Sequence, residues 1–193
     1  MNTSPSALFP LFRSDVQGRL LAAVLLNPEH EETVSELVLA TDSNIATVLR
    51  EVDRLVTFGL FKDRRSGKNR YISAEMNHPL YPEVRRITEY SYGPQEVLRK
   101  ALELLEGISE AYIYGSWADR SQGAIGRDPQ DIDVLVVGAP NREEIYQVAR
   151  DAEKFIRKDV NIRIVDNDTW EKSEDVFLRT VRAKPLVKLL PKL

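Results

Sequence analysis

Residues 112–138 read Y-I-Y-G-S-W-A-D-R-S-Q-G-A-I-G-R-D-P-Q-D-I-D-V-L-V-V-G. An apolar run ends at Gly115-Ser116, a polar loop follows, and a second apolar run opens with Asp131 and Asp133. The spacing predicts a strand over Ala111 to Tyr114, a helix after Gly-Ser, and a strand over Ile132 to Val137. Residues two apart in a strand face the same side, so the two carboxylates converge. Two acids inside an apolar strand are costly unless something positive binds them. Mg²⁺ suits them, since it takes one or two carboxylates together with phosphate oxygens and water. Gly115 lets backbone approach a ligand closely, Ser116 offers a hydroxyl, and the helix start aims amides at an anion. Asp131 and Asp133 are therefore the candidate catalytic and metal-binding residues, and Gly115 and Ser116 the candidate nucleotide-binding pair.

The α/β pattern extends on both sides. Arg142 to Arg157 is an amphipathic helix, Val160 to Val165 a third strand, and Glu174 to Arg182 a last helix. Asn161 stands on that third strand, and the resemblance given below implies a third acid at that position, completing a metal site and acting as general base. An amide cannot take up a proton near pH 7, and a lost general base typically costs about 10²- to 10⁴-fold in rate. Arg163 shares the face of Asn161, and a guanidinium there could pair with Asp133 and replace a metal's charge. Asp159 also shares that face, and a carboxylate there within coordinating reach would restore the acid. Arg120 and Arg127 lie in the polar loop and could meet phosphates. Trp117 is either a base-stacking ring or core, and Trp170 and Phe177 are expected in the core. His30 and His78 are isolated and have no partner at ligand spacing.

Upstream the pattern is different. Residues 12 to 27 repeat apolar positions at helical spacing and stop at Pro28. Thr33 and Glu36 have capping-box spacing before a second helix, and Asn44 is an N-cap for a third that ends at Gly59. Two extended runs then flank Ser66-Gly67, a hairpin signal. Between Lys62 and Arg70 stand five basic residues and one acidic residue, a local charge of +4. Three helices and a basic hairpin are the order of a winged helix-turn-helix, which lays its second helix in the major groove. Asn44, Thr47 and Arg50 are placed to face bases there. Arg64, Arg65, Lys68 and Arg70 are placed near the DNA backbone or minor groove. The plainer alternatives are a protein-interaction module and ordinary helix ion pairs for Arg50 and Arg54.

Two resemblances follow from these stretches. N-I-A-T-V-L-R-E-V-D-R-L-V-T-F-G-L-F, residues 44–61, followed by the basic hairpin, resembles the winged-helix transcriptional regulators of the ArsR/MarR type. G-S-W-A followed by D-I-D-V-L-V-V resembles the Gly-Ser…Asp-x-Asp signature of the polymerase β nucleotidyltransferase superfamily, above all its minimal MNT-type members. H-P-L-Y-P-E between the halves, with V-N-I-R-I-V and F-L-R-T-V-R-A-K-P near the end, is similar to bacterial proteins that join the two. The resemblance implies two domains. Residues 1–80 would form the winged helix-turn-helix, α with a small β wing, and 81–106 a linker helix region. Residues 107–193 would form an α/β (α+β) nucleotidyltransferase-like fold with a small mixed sheet.

The implied function is a DNA-binding transcriptional regulator whose second domain binds a Mg²⁺–nucleoside triphosphate. The alternative is an active, antitoxin-like enzyme transferring a nucleoside monophosphate to a protein or nucleic-acid acceptor, with a toxin as a separate partner. A pure interaction scaffold is the third reading. Double-stranded DNA is the expected partner, and a homodimer the expected assembly, with residues 83 to 106 as a contact surface.

Composition sets outer bounds. The 193 residues carry a net charge of −3, so any basic surface is local. With no cysteine, disulfides, thiolate metal sites and cysteine nucleophiles are excluded. The first ten residues lack the basic start and apolar core of a signal peptide, and the longest apolar run, Leu20 to Leu26, is too short to span a bilayer. A cytoplasmic protein without membrane contact is the expectation.

Overall fold

A computed structural model describes residues 12–126, 129–172 and 175–191. The chain is an α+β protein with two small sheets and divides into two compact units, Met1–Gly93 and Pro94–Leu193. Among the described residues no helix is long and apolar enough to cross a membrane.

The first unit begins with α1 (Asp15–Leu25), capped by Ser14. A two-residue strand, β1 (Glu32–Thr33), precedes α2 (Val34–Thr41). Thr33 and Glu36 cap α2 reciprocally, each side chain bonding to the other's backbone N–H. Asn44 then caps α3 (Ile45–Phe58), which buries Val48, Val52 and Leu55 and ends at Gly59. β2 (Phe61–Ser66) and β3 (Asn69–Ala74) form the hairpin, and β1 adds to it in the order β1-β3-β2. β1 is too short to show a period in the sequence.

α4 (Tyr81–Tyr92) packs on α1. The two helices meet at Gly18, where an added Cβ would lie 2.3 Å from the Tyr92 ring. The Tyr92 hydroxyl donates to Asp15 Oδ1 at 2.9 Å, and that of Tyr81 to the Leu25 carbonyl at 3.2 Å. The segment expected as a linker is thus divided. α4 belongs to the first unit, while α5 (Pro94–Leu102) belongs to the second.

The second unit is a four-stranded mixed sheet in the order β6-β5-β4-β7. β4 (Ile108–Tyr114) runs antiparallel to β5 (Asp131–Gly138) and to β7 (Val187–Leu190), and β5 runs parallel to β6 (Asp159–Val165). α6 (Gly115–Ser121) follows β4 directly, and α7 (Arg142–Ile156) makes the crossover between the parallel strands. α8 (Asn167–Lys172) and α9 (Val176–Arg182) lie between β6 and β7 in the chain.

One face of the sheet packs Ile132, Val134 and Val136 against Leu98 and Leu102 of α5 and the apolar side of α7. The other packs Leu135 and Val137 against Trp170 of α8 and Leu178 and Val181 of α9. β5 is covered on both faces along Val134 to Gly138, which explains its unbroken apolar run. Each fully buried Leu, Ile or Val contributes about 1.5–3 kcal/mol. Only at its start, where Asp131 and Asp133 are half-buried, does β5 carry charge. α8 and β7 were not legible in the sequence, being too short to establish a period.

Candidate functional site

The parallel register of β5 and β6 sets Asp131 beside Asp159, Asp133 beside Asn161 and Leu135 beside Arg163. Directly paired residues of adjacent strands share a face. Asn161 reaches across and donates from Nδ2 to Asp131 Oδ2 at 3.4 Å and to Asp133 Oδ1 at 3.3 Å. One amide therefore bridges the two carboxylates. From β4, Tyr114 pairs with Asp133. Gly115 follows with φ +73°, and a Cβ built there would stand 2.7 Å from Asp133 Oδ2. The left-handed backbone favours glycine there, and a Cβ would crowd the end of the Asp133 side chain. Ser116 is exposed on the first turn of α6.

Electrostatics follow from this packing. The Asp133 carboxyl is pushed above its ordinary range, first by burial and also by the charge of Asp131, with the Asn161 amide opposing. The Tyr114 phenol is pushed up by burial, then by Asp133 and Asp131, while Arg163 opposes. Among the described residues the half-buried acid pair is held by weak amide bonds and by no cation.

Neither Arg163 nor Asp159 joins the two carboxylates. Arg163 does not pair with Asp133. Its guanidinium lies 3.9 Å from the centre of the Phe177 ring and 3.4 Å from Asp175 Oδ2, at the far side of its strand position. Phe177 in turn meets the Tyr114 ring edge-on at 5.7 Å. Asp159 is exposed at the start of β6, and among the described residues no three His, Asp or Glu side chains gather as a metal-holding group. Two carboxylates and an amide nevertheless fit Mg²⁺ in one form, with the ion's remaining positions filled by phosphate oxygens and water. Asp131, Asp133 and Asn161 would hold it, with Asn161 turned to present its carbonyl oxygen.

No protein-family model matches the chain, nor does any curated protein or solved structure. The other candidates divide by what they touch. Trp117 is buried in the core beside Ile132 and Val134, which leaves no free ring face for a base. Trp170 is core, and its Nε1 donates to Glu110 at 2.9 Å. Arg120 donates to the Ala124 carbonyl at 2.6 Å within its own loop. Arg127 lies outside the described residues. His78 accepts from the Leu80 N–H through Nδ1, and its ring packs on Phe58. Sequence reasoning misses Tyr114, although its place directly before Gly115 puts it opposite Asp133.

In the first unit, Asn44 Oδ1 accepts from the Thr47 N–H at 2.9 Å, so that oxygen serves the helix. Arg54 pairs with Glu51 at 2.6 Å. Arg50 is exposed and has no carboxylate partner among the described residues. The basic hairpin is largely self-neutralised. Arg64 is bidentate to Glu31 at 2.5 and 3.2 Å, and its guanidinium holds the Glu31 carboxyl below the usual carboxylate range. Arg70 pairs with Asp53 at 2.6 Å and Asp63 at 3.0 Å, and Lys62 with Glu75 at 3.0 Å. Arg65 and Lys68 are exposed and without such partners among the described residues.

Proposed function

We propose that the chain is a DNA-binding regulator whose second unit binds a divalent metal–nucleoside triphosphate complex. One observation carries the nucleotide reading. Asp131 and Asp133 converge beside a glycine whose left-handed backbone strains any other residue, and burial raises the Asp133 carboxyl with no cation paired to it among the described residues. Gly115 keeps the floor of the site open, and Ser116 on the adjoining turn is exposed to meet a phosphate. Asp131, Asp133 and Asn161 would hold the metal, which would supply the positive charge that the acid pair and the phosphates need. Asn161 supplies no proton acceptor, so turnover by transfer to an acceptor is slow or absent.

The DNA reading rests on the order of α1, α2, α3 and the three-stranded sheet, which we read as a winged helix-turn-helix. Arg50, Arg65 and Lys68 are its cations without a carboxylate partner among the described residues. Arg64 and Arg70 change partners from carboxylate to phosphate on binding, because exposed ion pairs are worth only about 0–1 kcal/mol. A two-fold dimer matches two-fold DNA sites. Ile87 and Tyr90, exposed on α4, offer it apolar surface, and size-exclusion chromatography with light scattering tests it.

The deciding experiment measures binding and pyrophosphate release together, with each labelled nucleoside triphosphate and Mg²⁺ or Mn²⁺. Binding without release is expected. Release abolished by Asp131→Ala/Asp133→Ala would instead establish an active transferase.

A further inference from the structure

Asn161 stands where a cation would neutralise Asp131 and Asp133, and it presents the end of its amide that a cation rejects. Nδ2 carries both amide protons and lies 3.4 and 3.3 Å from the two carboxylates, to which it donates. These bonds are longer than the usual 2.9–3.0 Å, so each is weak. The side chain is exposed and can turn. A half-turn of the amide replaces Nδ2 with Oδ1. With Oδ1 inward the site gains a third oxygen, but that oxygen repels the acid pair unless a cation is present.

A free divalent ion entering here must displace two hydrogen bonds and turn the amide, and it gains a neutral oxygen rather than a third charge. Its affinity is correspondingly low. A metal–nucleoside triphosphate complex meets different terms. It brings phosphate oxygens as ligands, and it is itself an anion. A site with two acids repels it less than a site with three. The same replacement that weakens capture of the bare ion therefore favours the complex.

We infer that Asn161 makes this site selective for the preformed divalent cation–nucleoside triphosphate complex over the free ion. The inference rests on the nucleotide reading of Asp131 and Asp133. Such selectivity would keep the site unloaded in ordinary cytosolic or medium Mg²⁺ and make its occupancy report nucleotide concentration.

The test is Mn²⁺ titration of the full chain followed by electron paramagnetic resonance, with and without adenosine or guanosine α,β-methylene triphosphate. Wild-type protein is expected to hold Mn²⁺ weakly alone and at least about tenfold more tightly with an analogue. Asn161→Asp is expected to bind Mn²⁺ alone about ten- to a hundredfold more tightly than wild type, and to gain less from the analogue. Asn161→Ala removes the competing donors and is expected to bind free Mn²⁺ at least as well as wild type. Circular dichroism checks that each variant is folded. Unchanged free-ion affinity in Asn161→Asp, or a clear loss in Asn161→Ala, would overturn the inference while leaving nucleotide binding intact. Failure of every form to bind either analogue would instead remove the nucleotide reading on which it stands.

Discussion

Burial at Asp133 favours its protonated form. Its folded-state pKa is raised, chiefly by burial, so the native chain binds this proton more tightly than the unfolded chain does. The stability tied to that proton is present at acid pH and is lost as the pH rises through the raised value. Asp133→Asn is therefore expected to melt at a higher temperature than wild type at pH 7, with the gap closing as the pH falls through the carboxylate range. Thermal melts across that range check it, and a variant less stable than wild type at pH 7 would contradict it. Gly115→Ala is expected to lose about 1–2 kcal/mol from its left-handed backbone and to push Asp133 out of place. Denaturant titration and nucleotide binding should both register the change. The two acids were legible in the sequence because a period of two is a local property. The bonds made by Asn161 and the true partner of Arg163 were not, since both depend on how β6 and α9 are brought to the site.

At the scale of elements, α1 and α4 are held together by a contact that runs against helix propensity. Alanine at position 18 should favour α1 by about 1 kcal/mol over glycine. Here the new Cβ would press within 2.3 Å of a buried ring anchored by Asp15. Overpacking of this kind costs about 1–3 kcal/mol, so Gly18→Ala is expected to destabilise the protein on balance in denaturant titration. The hairpin makes a second test. Removing Arg65 and Lys68 should reduce DNA affinity and flatten its salt dependence, by a slope of about 0.9 for each phosphate no longer neutralised. Removing Arg64 should also weaken binding, but by somewhat less, since exchanging Glu31 for phosphate costs up to about 1 kcal/mol of the gain. Fluorescence anisotropy over a salt series separates these outcomes. The long helices and the strands beside the motif were readable from caps and periodicity. β1, α8 and β7 were not, because elements of two to six residues carry no period.

On the scale of the whole molecule, each unit has its own core, and α4 and α5 fall on opposite sides of the division at Gly93. The sequence placed one linker across both helices. It missed the division because Gly93-Pro94 reads as a mere interruption in a helical stretch, whereas the packing partners of each helix decide its membership. Leu98 is fully buried in the second core, and Leu98→Ala is expected to cost about 2–5 kcal/mol there. Calorimetry should show that loss in the unfolding of the second unit, with DNA affinity little changed. A joint fall in both would mean that the two cores unfold as one.

The most direct measurement is titration calorimetry of the full chain with each nucleoside triphosphate in saturating Mg²⁺, alongside Asp131→Ala/Asp133→Ala. Saturable binding by wild type that disappears in the double variant is the expected result. No binding by wild type, or equal binding by both, would contradict the assignment of Asp131 and Asp133 as the metal–nucleotide site.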